Sequence, residues 1–148
     1  MKNLKLSNKK KNIFVPLKKK FLIDKKINNL LINQSNKNDN FKSMILIHRN
    51  KKERFQEMLI CMKKQKIYKP HVNYISEKSY HMIRGKMKVV FFTKNGYKQT
   101  NHIIDDKKNY YLRFEKNKIH TVEVLSKYAI FFERVLGPHK KTKYINFN

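Results

Sequence analysis

The sequence predicts an all-β domain, closed as a sandwich or small barrel and preceded by one amphipathic helix and a basic N-terminal arm. Three observations predict it. Beyond residue 40 the chain breaks into nine short apolar or alternating runs rich in Ile, Val, Phe and Tyr, separated by turn residues. Only one stretch, Leu22 to Asn33, carries helical spacing, with Ile23, Ile27, Leu30 and Leu31 on one face. Three glycines and no internal repeat argue against a propeller.

The elements follow in order. Residues 1–20 hold eight lysines and no acid, with Pro16 interrupting, and read as a flexible basic arm. Residues 21–40 supply the helix and the polar run Asn33 to Asn40 that should end it as a loop. Residues 41–148 form the β-barrel. Its strands are expected at Met44 to His48, Phe55 to Met62, Ile67 to Tyr74, Ser79 to Ile83, Met87 to Thr93, Tyr97 to Ile104, Tyr110 to Phe114, Ile119 to Leu125 and Tyr128 to Val135. Between the fifth and sixth, Asn95-Gly96 predicts a type I′ hairpin turn, which needs positive φ at both central positions.

The 148 residues suit one domain, and a 40% hydrophobic fraction excludes a wholly disordered polycation. Lone Cys61 excludes an internal disulfide and any multi-thiolate zinc site, and within Met58 to Met62 it reads as a buried, inert thiol. No run approaches membrane-span length and no apolar core follows the N-terminal charges, so a cytoplasmic protein is expected. The net charge of +26 has two readings. With 31 Lys against 5 Arg, 17 Asn and 15 Ile, it matches codon drift in an AT-rich genome, although that leaves the scarcity of Glu unexplained. It equally matches attraction to phosphate polyanions. Without the arm, 28 basic and 10 acidic residues remain, so the body itself is basic.

Nucleophile-elbow and phosphate-loop motifs are missing, which leaves the histidines as carriers of chemistry. His71, His81, His102 and His120 fall in or beside expected strands. On a strand His71 and Asn73 share a face, and a turn through Tyr74 to Ser76 would return Glu77 beside them. His48 reads as structural, while His102 and His139 read as surface residues. Asp105-Asp106 reads as a hairpin loop, and Tyr110-Tyr111 and Phe91-Phe92 as core aromatics.

The segment His71-Val-Asn73, then Glu77-Lys78, then Gly85, with His120 following, resembles the cupin superfamily. Phe41 to His48, Arg54 to Ile60, Tyr68-Lys-Pro-His71, Ser79 to Gly85, His120-Thr121, Glu133 and Gly137-Pro138 are similar, in order and spacing over about residues 22–140, to WbuC proteins, found among genes for O-antigen and surface-polysaccharide synthesis. The resemblance implies a double-stranded β-helix, or jelly-roll barrel, with a divalent metal held by His, His, Glu and His. His71 matches the first ligand and His120 the last. The second is Asn73 here, and the position of the glutamate is taken by Lys78, with Glu77 displaced by one residue.

One step along a strand reverses the face. If Tyr80 and Met82 point inward, so does Lys78, and its ammonium would repel a cation. If a bulge shifts the register, Glu77, and with it His81, faces inward and His71, Glu77 and His120 become a two-histidine, one-carboxylate site for Zn, Fe, Mn or Ni. A metal-free barrel could bind a small anion through Lys78, His71 and His120. The functional expectation is a cupin of surface-polysaccharide or lipopolysaccharide biosynthesis, with a sugar or nucleotide-sugar ligand and a pairing of two chains into a homodimer. The alternative is a nucleic-acid or anionic-surface binder on the same scaffold, and a purely structural protein is the third reading.

Overall fold

Alternation of side chains along the strands decides the architecture. In Phe55–Lys63, Met58, Ile60 and Met62 face one core while Leu59 and Cys61 face another, so this strand is covered on both faces. In the computed structural model the described residues are 4–7, 10–18, 20–37, 41–64, 68–138 and 142–147. They form β1 (Leu4–Ser7), β2 (Lys10–Pro16), α1 (Lys25–Asn36), β3 (Lys42–Leu46), β4 (Phe55–Lys63), β5 (His71–Val72), β6 (Lys78–Arg84), β7 (Lys86–Phe92), β8 (Lys98–Asp105), β9 (Tyr111–Phe114), β10 (Ile119–Val124), β11 (Tyr128–Leu136) and β12 (Lys143–Tyr144). A seven-stranded sheet runs β1-β2-β3-β4-β11-β6-β9, and a five-stranded sheet runs β12-β5-β10-β7-β8. The protein is all-β, as the strand pattern predicts, and a jelly roll, as the resemblance implies.

Between the sheets lies the main core, with Ile60, Tyr80, Met82, Met87, Val89, Phe91, Val122 and Phe131 among its members. The outer face of the larger sheet carries a second core, in which Phe14, Ile45, Leu59, Cys61 and Ile130 pack with Leu31 of α1. Asp24 caps the helix by accepting a hydrogen bond from Ile27 N at 3.0 Å. Leu31 is fully buried, and Leu31→Ala should cost about 2–5 kcal/mol in chemical unfolding.

Four expectations need correction. Residues 4–7 and 10–16 are not a free arm but strands, β2 running parallel to β3 with Phe14 buried beneath the helix; burial of Phe14 outweighs the lysines around it. The helix continues to Asn36 because Ser35 is buried with its hydroxyl bonded to Ile32 O, and a run of polar side chains need not be a loop. The turn at Asn95-Gly96 is not type I′: among the described residues Gly96 has positive φ (85°) and Asn95 does not. Gly96 N donates to Thr93 O and Thr93 N to Tyr97 O, a three-residue hairpin loop with glycine at the left-handed position. Finally, β5 is only His71–Val72, because Asn73 leaves the strand to build the next turn.

Gly85, between β6 and β7, has φ of 93°, and a Cβ there would lie 2.1 Å from Tyr128 O. Gly85→Ala, a change that stabilises by about 0.4–1 kcal/mol where the backbone is compatible, should here destabilise by more than that, read as a drop in Tm.

Candidate functional site

At one end of the barrel the two sheets contribute the site from opposite sides. From the smaller sheet come His71 and His120, which are register partners on β5 and β10 and whose ring centroids lie 4.2 Å apart. From the larger sheet come Lys78 and Tyr80 of β6, which with Met82 occupy its buried face, and Glu133 of β11, which follows Ala129 and Phe131 on the barrel side by the same period of two.

Lys78 is only 5% exposed. Its Nζ donates to His71 Nε2 at 3.2 Å and lies 3.3 Å from Glu133 Oε1. His120 is 1% exposed; its Nδ1 donates to Lys118 O at 2.9 Å, so its Nε2 accepts the Tyr80 hydroxyl at 3.2 Å. His71 repeats the pattern, with Nδ1 turned to Lys69 O at 3.4 Å and Nε2 to Lys78. A carbonyl can only accept, so both imidazoles carry their hydrogen on Nδ1 and present a lone pair inward.

Charge states follow from burial. Desolvation, reinforced by Lys78, lowers the His71 pKa to about 4, and the same two causes hold His120 well below its ordinary value. Burial pushes the Tyr80 hydroxyl well above its usual value, with Glu133 adding to the rise. Glu133 has its pKa lowered: burial opposes this, but Lys78, Lys42 and His71 outweigh it. The site at neutral pH is two neutral imidazoles, a phenol, a carboxylate and an ammonium.

Of the three candidate ligands, the structure brings His71 and His120 together and leaves Glu77 outside. Glu77 precedes β6 on the face of Ser79 and His81, and its carboxylate takes Arg113 Nε at 2.9 Å on the surface. No bulge reverses the face: Lys78, Tyr80 and Met82 are the buried set, and His81 sits outside between Tyr110 and Tyr111. Asn73 shapes the turn instead of the site, its Oδ1 accepting from Ile75 N at 3.0 Å. As they stand these residues do not fit a divalent ion, because an ammonium fills the space between His71 and Glu133, and no group of three or more His, Cys, Asp or Glu among the described residues could hold one.

The sequence reading missed Glu133 as the counter-charge and Tyr80 as the donor to His120. Odd-numbered alternation through Ala129, Phe131 and Glu133 was the available signal. His48 bonds Glu57 O through Nδ1 at 3.0 Å, His102 is exposed, and His139 lies outside the described residues. Asp105 accepts from Lys107 N and Lys108 N at 2.8 Å each and closes the hairpin. Phe91 is core, but Tyr110 and Tyr111 are 55% and 49% exposed, which corrects their assignment to the core. Cys61 is buried, its thiol raised to about 11 by desolvation.

A cavity of about 370 Å³ opens beside this cluster. Its walls include Lys42, Lys51, Lys78 and Glu133, with Gln56, Asn73, Ser76 and Tyr144 as neutral polar groups. Gln56 Nε2 is committed to Glu53 O at 2.7 Å and to Asn50 O at 3.2 Å, which fixes the amide and leaves its buried Oε1 without a donor among the described residues.

The sequence profile of the family described as Domain of unknown function (DUF6016) matches residues 23–104, more than half of the chain. The chain belongs to this family. No curated protein matches the DUF6016 chain. Among solved structures, the capsular polysaccharide assembling protein CapF from Staphylococcus aureus is similar at a TM-score of 0.56 and 14% identity, over 64% of this chain and 27% of that one. The Bacillus subtilis oxalate decarboxylase, described with Mn(II) centres, gives a TM-score of 0.53 at 14% identity over 63% and 24%. A cupin superfamily protein from Desulfitobacterium hafniense DCB-2 gives 0.52 at 12% over 64% and 76%. These likenesses show that this DUF6016 chain has the cupin fold. The chain spans about a quarter of the length of CapF and of the decarboxylase. Among the described residues no helix is long and apolar enough to cross a membrane.

Proposed function

We propose that the protein binds a small anionic ligand of sugar type in the barrel mouth, in the setting of surface-polysaccharide biosynthesis. The observation that carries the reading is the cavity wall: three lysines line it against one glutamate, which Lys78 engages and on which Lys42 also acts, so the positive excess is carried by the exposed Lys51. The surplus suits a carboxylate or phosphate, and the neutral polar side chains suit hydroxyls. A volume of about 370 Å³ matches a monosaccharide derivative more closely than a polymer. The polysaccharide setting draws support from the resemblance to WbuC proteins and from the description of CapF.

Calorimetric titration of the full chain with sugar phosphates, uronic acids and neutral sugars tests this. Anionic sugars should bind, and Lys51→Ala, at an exposed residue of the wall, should weaken them several-fold without changing Tm. Equal affinity for neutral sugars, or none for either, would contradict the reading. A metal-dependent form, with a divalent ion on His71, Glu77 and His120, has the close His71–His120 pair in its favour and the Glu77–Arg113 pairing against it.

The net charge of +26 favours a second reading, a nucleic-acid or anionic-surface binder. Its mark is an affinity for generic DNA that falls steeply with salt and is indifferent to Lys51→Ala.

A further inference from the structure

We propose that the Lys78 ammonium is the resident cation of the barrel, seated where a divalent ion would otherwise be held. Four features point to it. Both imidazoles turn Nδ1 to a backbone carbonyl, Lys69 O and Lys118 O, and so direct Nε2 inward, the orientation that metal-ligating histidines also need. The His71 Nε2 lone pair is met by Nζ at 3.2 Å, and the same Nζ compensates Glu133 at 3.3 Å. The second imidazole lies 4.2 Å from the first, centroid to centroid, and its own lone pair is met by the Tyr80 hydroxyl. Lys78 is buried from the strand outward, so the ammonium is held and not swept in from solvent.

An ammonium has three N–H donors, and His71 and Glu133 take two. Among the described residues no third acceptor meets Nζ, which leaves an N–H for an anionic ligand and gives the lysine the electrostatic role of a Lewis-acid ion with no dependence on metal supply. This last step rests on the ligand-binding reading above, whereas occupancy of the cation position stands on the geometry alone. A corollary concerns one substitution: Lys78→Glu removes the ammonium and adds a carboxylate beside two imidazoles and Glu133, a donor set suited to Zn²⁺ or Mn²⁺.

Titration with zinc chloride and with manganese chloride, followed by metal analysis after desalting, separates the cases. The unsubstituted chain should retain no stoichiometric ion. Lys78→Glu should retain one per chain, with a Tm that rises on metal addition, and adding His120→Ala should abolish both effects. One ion retained by the unsubstituted chain and lost in His71→Ala would overturn the proposal, and that arm decides even if Lys78→Glu fails to fold. A folded Lys78→Glu chain that holds no ion would also overturn it. Failure of sugar anions to bind, with these metal results intact, would remove the ligand reading and leave the resident cation standing.

Discussion

Glu133→Gln is expected to destabilise the protein by about 3 kcal/mol, the lower end of what breaking a buried ion pair costs. The substitution keeps the volume of the side chain and removes the charge facing Lys78, whose ammonium stays 6% exposed at its side chain against 17% for the glutamate. An ammonium left in that position has a neutral imidazole and a neutral amide for company, too little to replace its hydration. Partial exposure of Glu133 admits some water and keeps the loss from the upper end of the range. At about 2–4 °C per kcal/mol for a chain of this size, Tm should fall by roughly 6–12 °C. The control is Lys78→Met combined with Glu133→Gln, which removes both charges: it should recover most of the loss, since a pair removed together leaves no orphan. If the single and double substitutions are equally destabilised, the pair is not what holds the site together.

Acidification is expected to produce the second large effect. His71 is held at about 4, mainly by burial and then by Lys78, against an ordinary value of 6.5; His120 is displaced in the same direction for the same reasons. Between those values the unfolded chain binds protons that the folded chain refuses, so stability should be flat above about pH 6.5 and fall as pH drops toward 4. His71 alone accounts for roughly 3 kcal/mol of that loss at 1.36 kcal/mol per pKa unit. Glu133 adds to it at the acid end, because a depressed carboxylate gives up its contribution as pH falls through its folded value. Urea unfolding from pH 7.5 to 4 measures the curve. His71→Gln should flatten it, and an unchanged slope in that variant would place the titration elsewhere.

The strands were legible because their alternation is sharp. Val89 and Phe91, or Ile60 and Met62, cannot reach both cores from one face, and the chain spells out which residues go where. The same period decided the site: Lys78 is two residues before Tyr80 and four before Met82, and all three are buried on one face. What sequence could not supply was the identity of neighbours across the sheets. Glu133 faces Lys78 only because β11 pairs with β6 in a register that sets Glu133 against Tyr80 and Val135 against Lys78. The first two strands were hidden for a different reason. In Lys10–Pro16 the alternation is short and set among lysines, and it becomes meaningful only when β3 and α1 are there to receive Phe14.

Among the described residues, the charge that dominates the composition therefore has one buried representative. Lys78 is a buried cation between His71 and Glu133, and a crystal structure grown with excess Mn²⁺ or Zn²⁺ at neutral pH tests most directly whether it keeps a metal ion from that position. The prediction is density for the lysine side chain bridging His71 and Glu133, with no anomalous peak between the two imidazoles. An anomalous peak coordinated by His71 and His120, with Lys78 turned away, would contradict it.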